Sequence, residues 1–514
     1  MHGLQFLVFD ARRGNGEAGG EDKLLAWYPV EKPASELIRL VGLLQGLQQF
    51  CSRFEGAQDG RWLSTQTDRS TWLSYEPEDH LFIAMTVPTL LLPRHFTEIN
   101  LRGILLHGYR VIRLLHSSLA QATLNKPPSE CQELLGPVLR SLTTQLSNPA
   151  PWLSRELRNP LAAFEAPPTV RVPSATALCA SRICSTAAYV ARCAPPLGPM
   201  LLLDHRVLWS GLQAEETADV HALLQLGAVA APPTTAPILA PAGAPRRPAA
   251  EAGAAADPPA DGGAAASSAR EALGPGLCWQ QVALSTGAGL DCEPRLWVWR
   301  EPAPAHGGPP TSHPAGSSVR GVPRGWLREA SGERRCFTLA MLVFGRLLLV
   351  VPMDLAASAM DIATLHACVL PEIEILQKMV QRDSRLDPSV SGHVPGYRYV
   401  LRVGGRSLSS PRVKVSAMTH HTRALAVAVL GLLPPDEMLS PRGNDESLDA
   451  PAPSPSDDYP RVVLARSAQG HWVAASLDDR SRMLAIRERR GDISLSDACS
   501  SLDSLRHQLP DIMG

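Results

Sequence analysis

Between residues 229 and 275 the chain is built almost wholly from Ala, Pro, Gly, Ser and Thr, and residues 301–325 and 434–459 repeat that bias. Stretches so poor in large apolar side chains cannot bury enough surface to offset the entropy lost on ordering. The sequence therefore predicts disordered Ala/Pro/Gly-rich loops at these three places. They matter because 514 residues are too many for one hydrophobic core. The loops mark where ordered blocks are interrupted, and surface loops tolerate such insertions at small cost.

The blocks between them share a recurring plan. LQFLVFD and KLLAWYP, either side of the polar loop ARRGNGEAGGED, read as a hairpin. ASELIRLVGLLQGLQQFCSRF comes next as an amphipathic helix with Ser35 as its expected N-cap. RWLSTQTDRSTWLSYEPE and HLFIAMTVP supply further strands, and NLRGILLHGYRVIRLLHSSLAQATL reads as one long helix. Two strands, a helix, more strands and a helix make an α+β layer, an antiparallel sheet with helices packed on it. The plan returns from MLLLDHRVLWSGL, with a turn at Asp204-His205, to the helix DIATLHACVLPEIEILQKMVQ. It returns again from YRYVLRV to SLSDACSSLDSLRHQL.

Charge and cysteine usage exclude several classes. A net charge of -1 argues against a general nucleic-acid binder, which should show a basic face. Cys179, Cys184 and Cys193 are spaced as no zinc site is, and ten cysteines in so long a chain suggest reduced thiols of a cytosolic protein. MHGLQFLVFD carries neither a signal-peptide n-region nor a myristoylation start. In CFTLAMLVFGRLLLVVP (336–352), Arg346 at the centre argues for two strands joined by a tight Gly345-Arg346 turn rather than a membrane helix. A soluble protein with at most peripheral membrane contact is expected.

Candidate chemistry is sparse. Gly14, Gly16 and Gly19 fit G-x-G-x-x-G, but a strand rather than a helix is expected next, and Glu17 would repel phosphate. His420 and His421 are adjacent, so in a strand they point to opposite faces and cannot share a metal. Asp478 and Asp479 read as turn formers, and Trp209 and Trp472 as core tryptophans. No catalytic, cofactor or metal site is expected, which suits a scaffold for protein contacts.

Several of these stretches resemble the Ccz (calcium-caffeine-zinc sensitivity) subunit of the Mon–Ccz vacuolar fusion complex. They are FDARRGNGEAGGEDKLLAWYP, IRLVGLLQGLQQF, WLSTQTDRSTWLSYEPEDHLFIAM, LDHRVLWSGL and HWVAASLDDRSRMLAI, in that order. The resemblance implies three longin-like domains: residues 1–125, 195–385 with insertions at 229–275 and 301–325, and 396–514 with a loop at 434–459. A helical connector would occupy 126–194. It further implies a heterodimer with a Mon-family longin partner, acting as guanine nucleotide exchange factor for a late-endosomal, Rab-seven-class GTPase. Such a protein would be cytoplasmic and recruited peripherally to the late endosome or vacuole membrane. The first domain is shared with inturned and the Hermansky–Pudlak exchange-complex subunit, so a trafficking adaptor or ciliary scaffold without exchange activity is the alternative.

One detail of the first helix bears on partners. Leu37, Leu40, Val41, Leu44, Leu47 and Phe54 form the face expected to cover the sheet, while Ile38, Gly42, Gln45, Gly46 and Gln49 trace another stripe. Glycines inside a helix cost roughly 0.5–1 kcal/mol each relative to alanine. Either they let a second backbone approach closely, making this stripe a partner-binding face, or they ease packing against the domain's own sheet.

Overall fold

The computed structural model describes residues 4–14, 20–51, 62–89, 98–147, 167–170, 172–193, 197–204, 206–228, 278–283, 295–300, 324–329, 332–355, 357, 359–382, 397–403, 406–409, 422, 425–426, 428–429, 462–466, 471–477, 481–487, 497–500 and 504–505. The expected loops at 229–275 and 434–459 lie outside these residues, as do His420, His421, Asp478, Asp479 and Phe54. The third expected loop ends too late: Arg324–Arg328 is a strand, because Trp326 and Leu327 give it an apolar pair to set against a neighbouring strand.

The architecture is α+β with antiparallel sheets. The first sheet has the order β2-β1-β5-β4-β3. Its strands are β1 (Gln5–Asp10), β2 (Leu24–Tyr28), β3 (Trp62–Gln66), β4 (Ser70–Glu78) and β5 (Leu81–Pro88). The 3-10 turn Gly20–Lys23 precedes β2. The second sheet has the order β7-β6-β12-β11-β9-β8, with β10 paired to β11. It comprises β6 (Met200–Leu203), β7 (Arg206–Ser210), β8 (Cys278–Ala283), β9 (Arg295–Arg300), β10 (Arg324–Arg328), β11 (Arg334–Phe344) and β12 (Leu347–Met353). The third sheet, β14-β13-β17-β16-β15, repeats the strand order of the first. It is formed by β13 (Tyr397–Val403), β14 (Arg406–Ser409), β15 (Val462–Arg466), β16 (Trp472–Leu477) and β17 (Ser481–Arg487).

Turn chemistry places the hairpins where the sequence puts them. Asp204 (φ 48°) closes β6–β7 and Gly345 (φ 59°) closes β11–β12, both in the left-handed region a tight turn requires. The Arg346 guanidinium grips the Asp204 carboxylate, with Nε donating to Oδ1 at 2.9 Å, so the two turns are tied together.

The helices are α1 (Ala34–Cys51), α2 (Glu98–His116), α3 (Leu119–Thr123), α4 (Pro128–Ser147), α5 (Ser174–Val190), α6 (Ala214–Ala228) and α7 (Ala359–Arg382). The N-cap expectation for α1 is off by a turn position. The helix already begins at Ala34, where the Pro33 carbonyl accepts from the Glu36 N–H and starts the turn in place of Ser35. The long second helix also needs correcting: Ser117 adopts φ 72° and breaks it, and the Ser118 hydroxyl accepts from Gln121 N to cap α3. Glu78 reinforces that cap, its carboxylate accepting from Leu119 N and Ala120 N at 2.7 Å each.

The layers arise from side-chain alternation. On one face of the first sheet Leu7, Phe9, Phe82 and Ala84 meet Leu37, Val41 and Leu44 of α1. On the other, Phe6, Val8, Leu73, Ile83 and Met85 meet α2 and α4. The same cluster continues through Val220, Leu223 and Leu226 of α6 to Met200, Leu202, Leu339 and Met341 of the second sheet. One helical layer therefore serves two sheets. The far face of the second sheet is closed by α5 and α7, through Ala180, Ile183, Leu365, Val369 and Ile373. Trp209 packs at the margin of that cluster, partly buried. Burial of each Leu, Val or Ile in these layers contributes on the order of 1.5–3 kcal/mol.

Candidate interaction surface

The first sheet treats its two edges differently. Along β2, Gln132 of α4 behaves as a substitute strand: its Oε1 accepts from Trp27 N at 2.8 Å and its Nε2 donates to Trp27 O at 3.1 Å. That edge is capped at Trp27. At the other edge, β3 pairs with β4 alone among the described residues. Next to Leu63 on this strand, Trp62 stacks on Tyr75 with ring centroids 4.1 Å apart, and Arg102 lies over the indole.

Helix α1 covers one face of the first sheet. Its inward face holds Leu37, Val41 and Leu44, with Leu40 and Leu47 partly buried beside them. Of the five residues expected to form a partner stripe, Gly42, Gly46 and Gln49 are exposed. Ile38 and Gln45 are half-buried and turn toward the 3-10 segment, where Lys23 Nζ donates to Gln45 Oε1 at 3.4 Å. Among the described residues, a Cβ added at Gly42 or Gly46 would meet nothing within 4 Å. Neither glycine is in close contact with its own sheet among these residues. Around them the exposed residues are Arg39, Leu43 (45% exposed), Gln49 and Phe50 (59% exposed), a stripe rotated by one residue from the expected one. The sequence signal that could have found it is Leu43 and Phe50, which belong to neither the buried face nor the polar stripe.

Among the described residues, no group of His, Cys, Asp and Glu could hold a metal ion. Gly14 (φ 65°) turns the chain, and the glycine-rich loop leads into the four-residue 3-10 turn and then strand β2. Residues 16 and 19 lie outside the described residues. The free cysteines Cys184 and Cys193 are held as thiols by burial, which pushes them up to about 12 and about 11. None of the helices among the described residues is long and apolar enough to cross a membrane.

A five-stranded antiparallel sheet of this order, with one helix on one face and two on the other, defines a longin domain. Residues 4–117 match the family described as the first longin domain of INTU, CCZ1 and HPS4. The curated relatives include the vacuolar fusion protein CCZ1 homologs of Danio rerio and Xenopus tropicalis, each 32% identical over 84 residues. That alignment covers 16% of this chain and 17% of each relative. The homolog of Nematostella vectensis is 27% identical over 84 residues, 16% of this chain and 18% of its own length. The aligned stretch thus spans less than a fifth of these relatives. Residues 4–117 are thus similar to the first longin domain that INTU, CCZ1 and HPS4 share, and the CCZ1 homologs are relatives over part of that stretch.

Proposed function

We propose that the chain is one subunit of a two-chain guanine nucleotide exchange factor for a late-endosomal, Rab-seven-class GTPase. Its other subunit is a Mon-family longin protein, and the pair acts in vesicle-mediated transport and vacuole or lysosome fusion. The observation that supports this most is the match of residues 4–117 to the first longin domain of INTU, CCZ1 and HPS4, with CCZ1 homologs among the relatives. The absence of a catalytic requirement suits the reading. An exchange factor forms no bond; it binds the nucleotide-free GTPase more tightly than the loaded one and remodels the switch region. Its requirement is a shaped surface, and the outer face of α1 with its two unobstructed glycines is the candidate here. Recruitment to the endosomal or vacuolar membrane from the cytoplasm is peripheral in this proposal.

The test is nucleotide release from the GTPase with the chain alone, with the candidate partner alone, and with both. Release that needs both chains supports the proposal; release by this chain alone, or none with both, overturns it. Gly46→Leu supplies the surface control. It should abolish partner pull-down while leaving the melting temperature unchanged or raised, because a Cβ at this position meets no described atom within 4 Å. The alternative, a trafficking adaptor or ciliary scaffold, shares the longin domain and predicts partner binding with no release.

A further inference from the structure

The helical layer between the two sheets carries a cluster of charges that packing alone would not require. Arg113 of α2 makes a bidentate pair with Asp219 of α6, Nε to Oδ2 at 2.8 Å and Nη2 to Oδ1 at 2.7 Å. Asp219 is fully buried. From the second sheet, Arg334 Nη2 reaches Asp219 Oδ2 at 3.3 Å, and its Nη1 donates to the Arg113 carbonyl, also at 3.3 Å. Glu215 lies 3.6 Å from Arg113 and 3.3 Å from Arg328. Glu216 is buried, and among the described residues neither of its carboxylate oxygens has a hydrogen-bond partner; Arg334 at 3.7 Å and Arg328 at 3.9 Å are its counter-charges. Three guanidinium groups thus face three carboxylates.

A second observation places the same contact. Gly325 of β10 has no room for a side chain: a Cβ there would lie 2.8 Å from Leu339 Cδ1 and 3.1 Å from Leu114 Cδ1 of α2. Its bareness forms the notch into which α2 settles. Tyr109, one turn before Arg113, donates to Glu78 Oε1 at 3.1 Å and lies under the guanidinium. The helix is therefore anchored to the first sheet on one side and to the second on the other.

We propose that Arg113, Asp219 and Arg334 form a charge-locked joint that fixes the second sheet against the first domain, and that neutralising Asp219 loosens this joint while the first sheet keeps its fold. The reason is the asymmetry of buried ion pairs. Removing one member leaves an uncompensated charge in the interior, whereas replacing a whole pair by apolar groups is close to neutral. Asp219→Asn leaves three guanidinium groups against two carboxylates. The double variant Arg113→Met with Asp219→Leu leaves two against two.

Hydrogen exchange on the full chain distinguishes these cases. In Asp219→Asn, amides of α6 and β10 should exchange on the order of a hundredfold faster than in the parent chain, with β1 and β5 unchanged. The double variant should return α6 and β10 to within about tenfold of the parent. Unchanged exchange in Asp219→Asn would show that packing alone holds the joint. Equal acceleration in β1 and β5 would show that no separate joint exists. A double variant as fast as the single one would remove charge balance as the cause. Any of these three results overturns the proposal.

Discussion

Replacing Gly42 and Gly46 together by alanine isolates the question of why a helix that must hold a buried face should carry two glycines. Both positions sit in the interior of α1, and among the described residues a Cβ at either meets no atom within 4 Å. The substitution therefore adds no clash and removes only backbone freedom of the unfolded chain. At roughly 0.8–1 kcal/mol per glycine the pair should stabilise the helix by about 1.6–2 kcal/mol. For a cooperative body of 150–250 residues that corresponds to a rise in melting temperature of about 3–8 °C. Differential scanning calorimetry on the full chain, double variant against parent, reads it directly. A fall in melting temperature would refute the reasoning, since it would require the glycines to be in close contact with their own domain. No change would mean that α1 frays before the cooperative transition. A stabilised variant that also loses its partner would locate the reason for the glycines in association rather than folding.

Gln132→Leu removes both hydrogen bonds to Trp27 and should cost about 1–3 kcal/mol. It should also produce concentration-dependent association in size-exclusion chromatography, because the β2 edge is uncovered. Glu78→Gln weakens the acceptor for two helix N–H groups and should lower stability by about 0.5–2 kcal/mol in a thermal melt. Acid should destabilise the interlayer. Burial, with Arg110 and His221 nearby, lowers His107 to about 3, and burial beside Lys126 lowers His116 to about 4, so the unfolded chain binds protons more readily than the folded one. Their stabilisation is complete above about 6.5 and is lost as pH falls, by roughly 1 kcal/mol each near pH 5.5. Glu216, raised by burial, acts in the opposite direction. A melting temperature that holds or rises between about pH 7.5 and 5.5 would contradict the burial of these rings.

The parts of the fold that were legible in the sequence are those set by neighbours along the chain. The β6–β7 and β11–β12 hairpins declare themselves through apolar runs split by Asp204 and Gly345, and the buried face of α1 through the spacing of Leu37, Val41 and Leu44. The break at Ser117 escaped because the apolar pattern runs on from Leu115 to Leu119 while one backbone angle changes. β10 escaped because it abuts a Pro/Gly-rich tract whose composition conceals it. The candidate surface was legible only in part. Its glycines are visible in the sequence, but the half-burial of Ile38 and Gln45 depends on a 3-10 segment packed from elsewhere. The charge cluster was invisible in principle: Arg113 and Asp219 are 106 residues apart, and each reads locally as an ordinary polar position on a helix.

The unequal edges of the first sheet carry a consequence for stoichiometry. A sheet open at both ends is a monomer unit for a polymer, since each added strand leaves a new edge behind it. Here one end is occupied by the Gln132 amide, and β3 pairs with β4 alone among the described residues. A strand added at β2 would have to displace the Gln132 amide from Trp27, whereas one added at β3 would displace no described strand. Growth by strand addition is thereby directed to one end of this sheet, with a single glutamine standing against it at the other.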